Sequence, residues 1–226
     1  MHILIDFRAP AEAKIKLKQY GEVVEFKTEN MVYDAISGHP DIFITKVGDK
    51  NIVAPNIPKN YLNILSKYNI EIGDKNVGRK YPETVYYNAV VTNDFLIHKK
   101  GLTDTSVLRN SLSKHFLNVP QGYTRCSLIE ISGLYITSDI GIYKVLKNKG
   151  LDTFFVDPKK IVLPCFKHGF FGGTTGFFER NVFFIGSLSY IDEGDRIKNL
   201  LIKRNYKVIE LYDGPLYDGG GIFFFM

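Results

Sequence analysis

The sequence predicts a single α/β domain: a five-fold pseudosymmetric β/α propeller of ββαβ units, with the last unit closed by the N- and C-terminal strands. Three observations carry this prediction. A pattern of strand, tight turn, strand, amphipathic helix and strand recurs every roughly 40 to 50 residues, the period of propeller and solenoid arrays. A hairpin precedes every helix, whereas a doubly wound sheet would alternate single strands with helices. The two chain ends also supply complementary halves of one more unit, and closing a ring removes exposed sheet edges.

The units span about 38–72, 86–119, 124–156 and 173–211, and a fifth joins 219–226 to 1–26. Unit one reads DIFITKV, a turn at Gly48-Asp49-Lys50-Asn51, IVAP, the helix KNYLNILSKYN and the strand IEI. Unit two reads NAVVT, a turn at Asn93-Asp94, FLIHK, the helix DTSVLRNSLSKHF and LNV. Unit three is the clearest, with SLIEI, Ser132-Gly133, LYITSD, the helical IGIYKVLKNKG and TFFV. Unit four has GFFE, a turn at Arg180-Asn181, VFFIG, the helix DEGDRIKNLLIKRN and KVIEL. Gly, Asn and Asp at these turns tolerate the positive φ of two-residue hairpins. Asp104 and Ser138-Asp139 have oxygens placed to cap the first N–H groups of their helices. At the ends, IFFFM followed by HILIDF makes two strands with the chain break where the turn belongs. AEAKIKLKQYG, with Pro10 near its start, and EVVEF complete the unit.

Hydrophobic residues make up 45% of the 226 and aromatics 14%, enough for a core and against disorder. Net charge is +5, but Lys and Arg are spread over the helices, not gathered into a groove with a reading motif, so nucleic acid is not an expected partner. Two cysteines, Cys126 and Cys165, make neither a disulfide framework nor a metal site. MHILIDF reads as a strand rather than a leader, and no apolar run approaches the roughly 20 residues of a membrane helix. A cytoplasmic protein with reduced thiols and no membrane partner is expected.

A five-unit ββαβ ring with Gly219-Gly220-Gly221 near the C-terminus resembles the pentein superfamily of guanidino-group-modifying enzymes, as does His39-Pro40-Asp41 before a strand. The superfamily includes arginine and agmatine deiminases, dimethylarginine hydrolases and amidinotransferases. The resemblance implies a thiolate attacking a guanidinium carbon, a His moving protons and carboxylates gripping the cation. It also implies a nucleophilic Cys after a two-residue gap beyond the triple glycine, where this chain has Phe224, and a His late in the chain rather than in the first unit.

In such a ring the first strand of each unit lines a central channel, and the starts of those strands meet at one mouth. Five segments converge there: Gly38 to Asp41, Tyr87-Asn88, Thr124 to Cys126, Gly173 to Thr175 and Asp218 to Gly221. Expected ligand-binding residues are Asp41, Asn88, Arg125, Thr174, Thr175, Asp218, Gly219, Gly220 and Gly221, the glycines permitting close backbone approach. His39 is an acid/base candidate or an exposed turn tip; Asp41 is a guanidinium anchor or a turn cap. Cys126, beside Arg125, is a nucleophile candidate or a buried apolar thiol. Arg125 suits a ligand carboxylate or phosphate, or pairs with a neighbouring acid. The glycine- and aromatic-rich run from Pro164 to Gly176 offers backbone N–H groups to an anion, or simply links two units, and holds a second acid/base candidate, His168. Asp218 adjoins a strand start; Asp213 reads as a turn residue. His2, His98 and His115 read as structural, and no cofactor or metal is expected.

Three functional readings follow. The first is a pocket for a small polar ligand, amino-acid-like or a guanidino compound, with the usual Cys-based guanidine chemistry lost. The second is a hydrolase or amidinotransferase acting on a guanidino or other C–N substrate with Cys126 as nucleophile. The third is a non-catalytic interaction scaffold whose channel is plugged by Phe223 to Phe225 and Phe170-Phe171.

Overall fold

The computed structural model describes residues 1–226. In chain order the elements are β1 (His2–Asp6), α1 (Ala11–Leu17) and β2 (Glu22–Phe26), then β3 (Ile44–Val47), β4 (Lys50–Val53), α2 (Lys59–Leu65) and β5 (Ile70–Ile72). Next come β6 (Val90–Val91), β7 (Phe95–His98), α3 (Thr105–Asn110) and β8 (His115–Asn118). Unit three is α4 (Thr124–Ser127), β9 (Leu128–Ile131), β10 (Leu134–Thr137), α5 (Ile140–Asn148) and β11 (Asp152–Phe155). The chain ends with β12 (Thr175–Phe178), β13 (Asn181–Phe184), α6 (Gly194–Ile202), β14 (Lys207–Glu210) and β15 (Phe223–Phe225).

These strands form five three-stranded sheets of one topology, in which the middle strand is antiparallel to the inner strand and parallel to the outer one. The fifth sheet is the split one. His2 pairs with Phe225 antiparallel and with Glu22 parallel, so the two chain ends share a sheet. Ser132 (φ 48°) and Gly133 (φ 81°) make the left-handed hairpin turn that twisted strands favour. In unit four the turn falls one residue earlier than predicted, at Glu179-Arg180, with Glu179 at φ 54°.

Four helices, α1, α2, α5 and α6, lay apolar residues four apart onto their sheets: Ala13 and Leu17, Tyr61 and Leu65, Ile142 and Leu146, Ile197 and Leu201. Asp104 caps Ser106 N and Asp139 caps Ile142 N, each at 2.8 Å, as the sequence predicts. Four apolar clusters complete a circuit. One joins the split unit to units one and two, and the others join two to three, three to four, and four back to the split unit. The inner strands stand around a channel, with β3 beside β6, β6 beside β9, and β12 bridged to β15 through Gly176 and Ile222.

Two expectations need correction. The helix of unit two ends at Asn110, and His115 and Phe116 open β8 instead of closing the helix. The starts of the inner strands are also not extended. Pro40–Ile42 and Gly172–Thr174 are 3₁₀ turns, and Thr124–Ser127 is a single helical turn. Proline at N1 favours such a turn, because its φ is already helical. His98, on β7, is buried between Thr103 Oγ1 (2.8 Å) and the Gly122 carbonyl (2.9 Å), the structural role expected of it. No helix is long and apolar enough to cross a membrane.

Candidate active site

The turns at the strand starts build the site. His39 precedes the 3₁₀ turn whose first residue is Pro40, and Asp41 lies inside it. Asn88 ends a tight turn closed by its own N–H on the Val85 carbonyl (3.0 Å). Cys126 sits on α4, and the Asp218 backbone is held by the Val162 carbonyl at 2.9 Å.

These side chains meet. The Cys126 thiol donates to Asp41 Oδ2 at 2.9 Å. Asn88 Nδ2 donates to Cys126 Sγ at 3.3 Å and to the Asp41 carbonyl at 3.1 Å, while its Oδ1 accepts from Cys126 N at 3.1 Å. A ligating atom from each of His39, Asp41 and Cys126 lies within 4.8 Å of the other two. The imidazole stands between two further carboxylates, with Nε2 3.7 Å from Asp6 Oδ2 and Nδ1 4.0 Å from Asp218 Oδ1. Both His39 nitrogens and Asp41 Oδ1 are buried without a hydrogen-bond partner. In a hub of this polarity such atoms are poised for a ligand, a water or an ion, because leaving them bare costs desolvation energy.

Burial sets the protonation states. His39 is 1% exposed, Asp41 0%, Cys126 3% and Asp218 1%, so charge is penalised throughout. Desolvation, then the charges of Asp41 and Asp218, push the Cys126 thiol well above its ordinary range. Desolvation lifts Asp41 to about 6, against the pull of Arg125 and of hydrogen bonds from Cys126 and Asn88. Asp218 also rises to about 6, by desolvation, with His39 opposing and Asp41 adding to the shift. The His39 pKa falls, desolvation outweighing Asp218 and Asp6. The resting hub is a thiol and a neutral imidazole beside two weakly acidic carboxyls.

The expected residues divide. Cys126, His39, Asp41, Asn88 and Asp218 assemble as one cluster. His168 does not join it; its Nδ1 lies 3.0 Å from the Gly169 carbonyl and its ring meets Phe170 edge-on. The Thr174 and Thr175 hydroxyls donate to the Phe171 and Gly172 carbonyls, both at 2.8 Å, and offer a ligand no free donor. Arg125 pairs with no acid; it donates to the Gly172 carbonyl (2.7 Å) and the Thr175 carbonyl (3.2 Å). The triple glycine serves the protein's own packing. Gly220 (φ 66°) and Gly221 (φ 83°) are left-handed, and a Cβ on them would run into His39 and Arg125 respectively. Gly220 N also donates to Asp218 Oδ1 at 3.2 Å.

Sequence reasoning missed Asp6, Arg8, Tyr33 and Tyr123. Asp6 ends the apolar strand HILID, and a lone acid there with Arg8 two residues on was the available signal. Arg8 grips it bidentately, Nε to Oδ1 at 3.1 Å and Nη2 to Oδ2 at 2.7 Å. The hydroxyls of Tyr33 and Tyr123 lie 3.1 Å apart, and burial pushes both phenols above the ordinary tyrosine range. Phe224, at the position where the resemblance puts a thiol, is wedged between the split unit and unit four. Its ring stacks on Phe178 (5.5 Å) and tilts against Phe183 (4.9 Å).

The trio of imidazole, carboxylate and thiol is also a donor set that a thiophilic divalent ion accepts, so His39, Asp41 and Cys126 are the residues that could hold a metal here.

One family covers nearly all of this chain, matching residues 4–223. The chain belongs to the family of unknown function DUF6873. No curated protein matches the sequence. Among solved structures it is similar to DDAH from Pseudomonas aeruginosa, a cysteine-to-serine mutant complexed with citrulline. That match has a TM-score of 0.52 at 8% identity and covers 97% of this chain and 92% of the other. It is also similar to SxtG, an amidinotransferase of the saxitoxin biosynthetic pathway from Microseira wollei. There the TM-score is 0.52 at 10% identity, covering 92% of this chain and 87% of the other. The fold of this family member is thus that of the pentein superfamily, with five small sheets arranged as the repeats predict.

Proposed function

We propose that the hub is a thiol-dependent active site that cleaves or transfers at a C–N bond of a cationic amidine or guanidine, with Cys126 as nucleophile. The observation that carries this reading is the surroundings of the sulfur. It is bound to Asp41 and Asn88 and faces an imidazole, where a structural thiol would lie among Ile, Leu and Phe. The likeness of the fold to DDAH and to an amidinotransferase agrees with it. Asp41 and Asp218 are the anchors for the cation and His39 is the proton carrier.

The chemistry balances with these groups alone. A bound guanidinium stabilises the charged forms of thiol and carboxylates, reversing the effect of burial. Sulfur attacks the central carbon, and its proton leaves toward Asp41 and His39. Collapse of the tetrahedral adduct breaks the C–N bond, and His39 delivers that same proton to the departing nitrogen. Water, or an acceptor amine, then attacks the S-amidino carbon; the second adduct collapses with cleavage of the C–S bond, and the proton lost by the attacking group returns to sulfur by the same route. A cluster this buried must open for a substrate to reach it.

The second reading is a polar small-molecule pocket without turnover, which the protonated thiol and the apolar Phe224 favour. The two separate in one experiment. In a Cys165→Ser background, 2-chloroacetamidine should alkylate Cys126 with saturation kinetics, mapped by peptide mass spectrometry. Neutral iodoacetamide should react at least about ten-fold more slowly, since it gains nothing from the carboxylates, and Asp218→Asn should erase most of that preference. An unmodified Cys126, in a protein whose exposed Cys165 is labelled when present, would leave only the binding reading.

A further inference from the structure

The opposite end of the channel holds a cavity of about 350 Å³ to which all five units contribute, and none of His39, Asp41, Asn88, Cys126 or Asp218 lines it. It lies at the hairpin-turn end, since Gly48 and Thr92-Asn93 form part of its rim. Its volume is at the lower bound of small-molecule sites. The lining is mixed: Val90, Val91, Phe177 and Phe223 are apolar, and Thr45, Asn51, Thr92 and Asn93 are polar. Its charged groups are three cations and one acid: Arg125, Lys46, Lys114 and Glu130.

The cations lack acidic partners. Arg125 spends two N–H groups on carbonyls and stands 5.6 Å over the Phe223 ring, and Asp41, across the hub floor, is the acid that feels its charge. Lys114 donates only to the Asn93 carbonyl, at 2.9 Å. Glu130 accepts from Gly133 N at 2.7 Å, which directs one of its oxygens back to its own hairpin. A half-buried guanidinium at the floor, apolar wall residues and lysines at the rim are complementary to an anion carrying an apolar body.

We infer that this cavity is a second small-molecule site, separate from the thiol cluster, and that it takes a small organic carboxylate whose head meets Arg125. The apolar body of the ligand lies along Val90, Val91, Phe177 and Phe223, and Lys46 and Lys114 draw the anion to the rim. The site does not depend on the reaction proposed for Cys126.

The test is a titration of the full chain with sodium hexanoate followed by backbone amide NMR. Saturable shifts are expected at Val90, Ile129 and Ile222. Hexanamide, the neutral counterpart, and inorganic phosphate, an anion without the body, should each bind at least about ten-fold more weakly. The double variant Lys46→Glu/Lys114→Glu changes two rim side chains and should weaken hexanoate by about ten-fold or more without loss of the folded spectrum. Cys126→Ala should bind hexanoate as the unaltered chain does. The inference is overturned by the absence of saturable shifts at these amides up to about 20 mM hexanoate. Equal affinity for hexanamide or phosphate, or undiminished hexanoate affinity in the double variant, overturns it as well.

Discussion

Asp41 sits where a carboxylate is least comfortable. Its pKa rises from the ordinary 3.8 to about 6 because the hub withholds water, and Arg125 and the Cys126 thiol only partly offset that. A carboxyl whose folded-state pKa is raised favours the folded state while it is protonated, and loses that contribution as pH rises through about 4 to 6. Asp41→Asn removes the titration and keeps the shape. The unfolding free energy of the variant minus that of the unaltered protein should therefore grow by about 2 kcal/mol between pH 4 and pH 7.5, as urea melts would show. A constant difference would mean that Asp41 is not desolvated. At neutral pH the protein thus carries a destabilising charge, which a thiol and a cationic substrate would put to use. Gly220 shows the same tension. Its left-handed backbone passes so close to His39 that no side chain fits, and the glycines that suggested ligand approach instead make room for the imidazole.

At the scale of elements, the split sheet is the distinctive feature, because β1 pairs with β15 across the chain ends. Joining Met226 to Met1 through a short Asn-Gly linker, with new ends opened at Gly48-Asp49, should give a folded protein with the same pattern of protected amides in β1 and β15 by hydrogen exchange. Loss of that protection would contradict the shared sheet. Strands, hairpin turns and helix caps were legible in the sequence because their signals are local: alternation, Gly-Asn-Asp turns, Asp104 and Asp139. The hub was half legible. Pseudosymmetry placed His39, Asp41, Asn88, Cys126 and Asp218 at equivalent strand starts. What it could not show was that three of the strand starts are helical turns, which decide that the Thr174 and Thr175 hydroxyls turn onto their own backbone. Asp6 and Arg8 escaped because they belong to the unit whose inner strand lies at the far end of the chain. The exclusion of His168 depends on the path of the run from Pro164 to Gly176, which obeys no repeat.

For the whole molecule, ring closure gives the channel two chemically different ends. The strand starts bring an imidazole, a thiol and carboxyls together, and the hairpin ends leave a cavity edged by cations. Arg125 stands between them, polarising Asp41 on one side and facing the cavity on the other. The central claim is that five separated segments form one electrostatic unit around the Cys126 sulfur. It is tested most directly by titrating the Cys126 thiolate, followed by its ultraviolet absorbance in a Cys165→Ser protein, with and without methylguanidinium. The account predicts a thiol that stays protonated well above the ordinary cysteine range in the free protein and ionises at least about one pH unit lower once the cation is bound. An ordinary thiol titration that the cation leaves unmoved would contradict it.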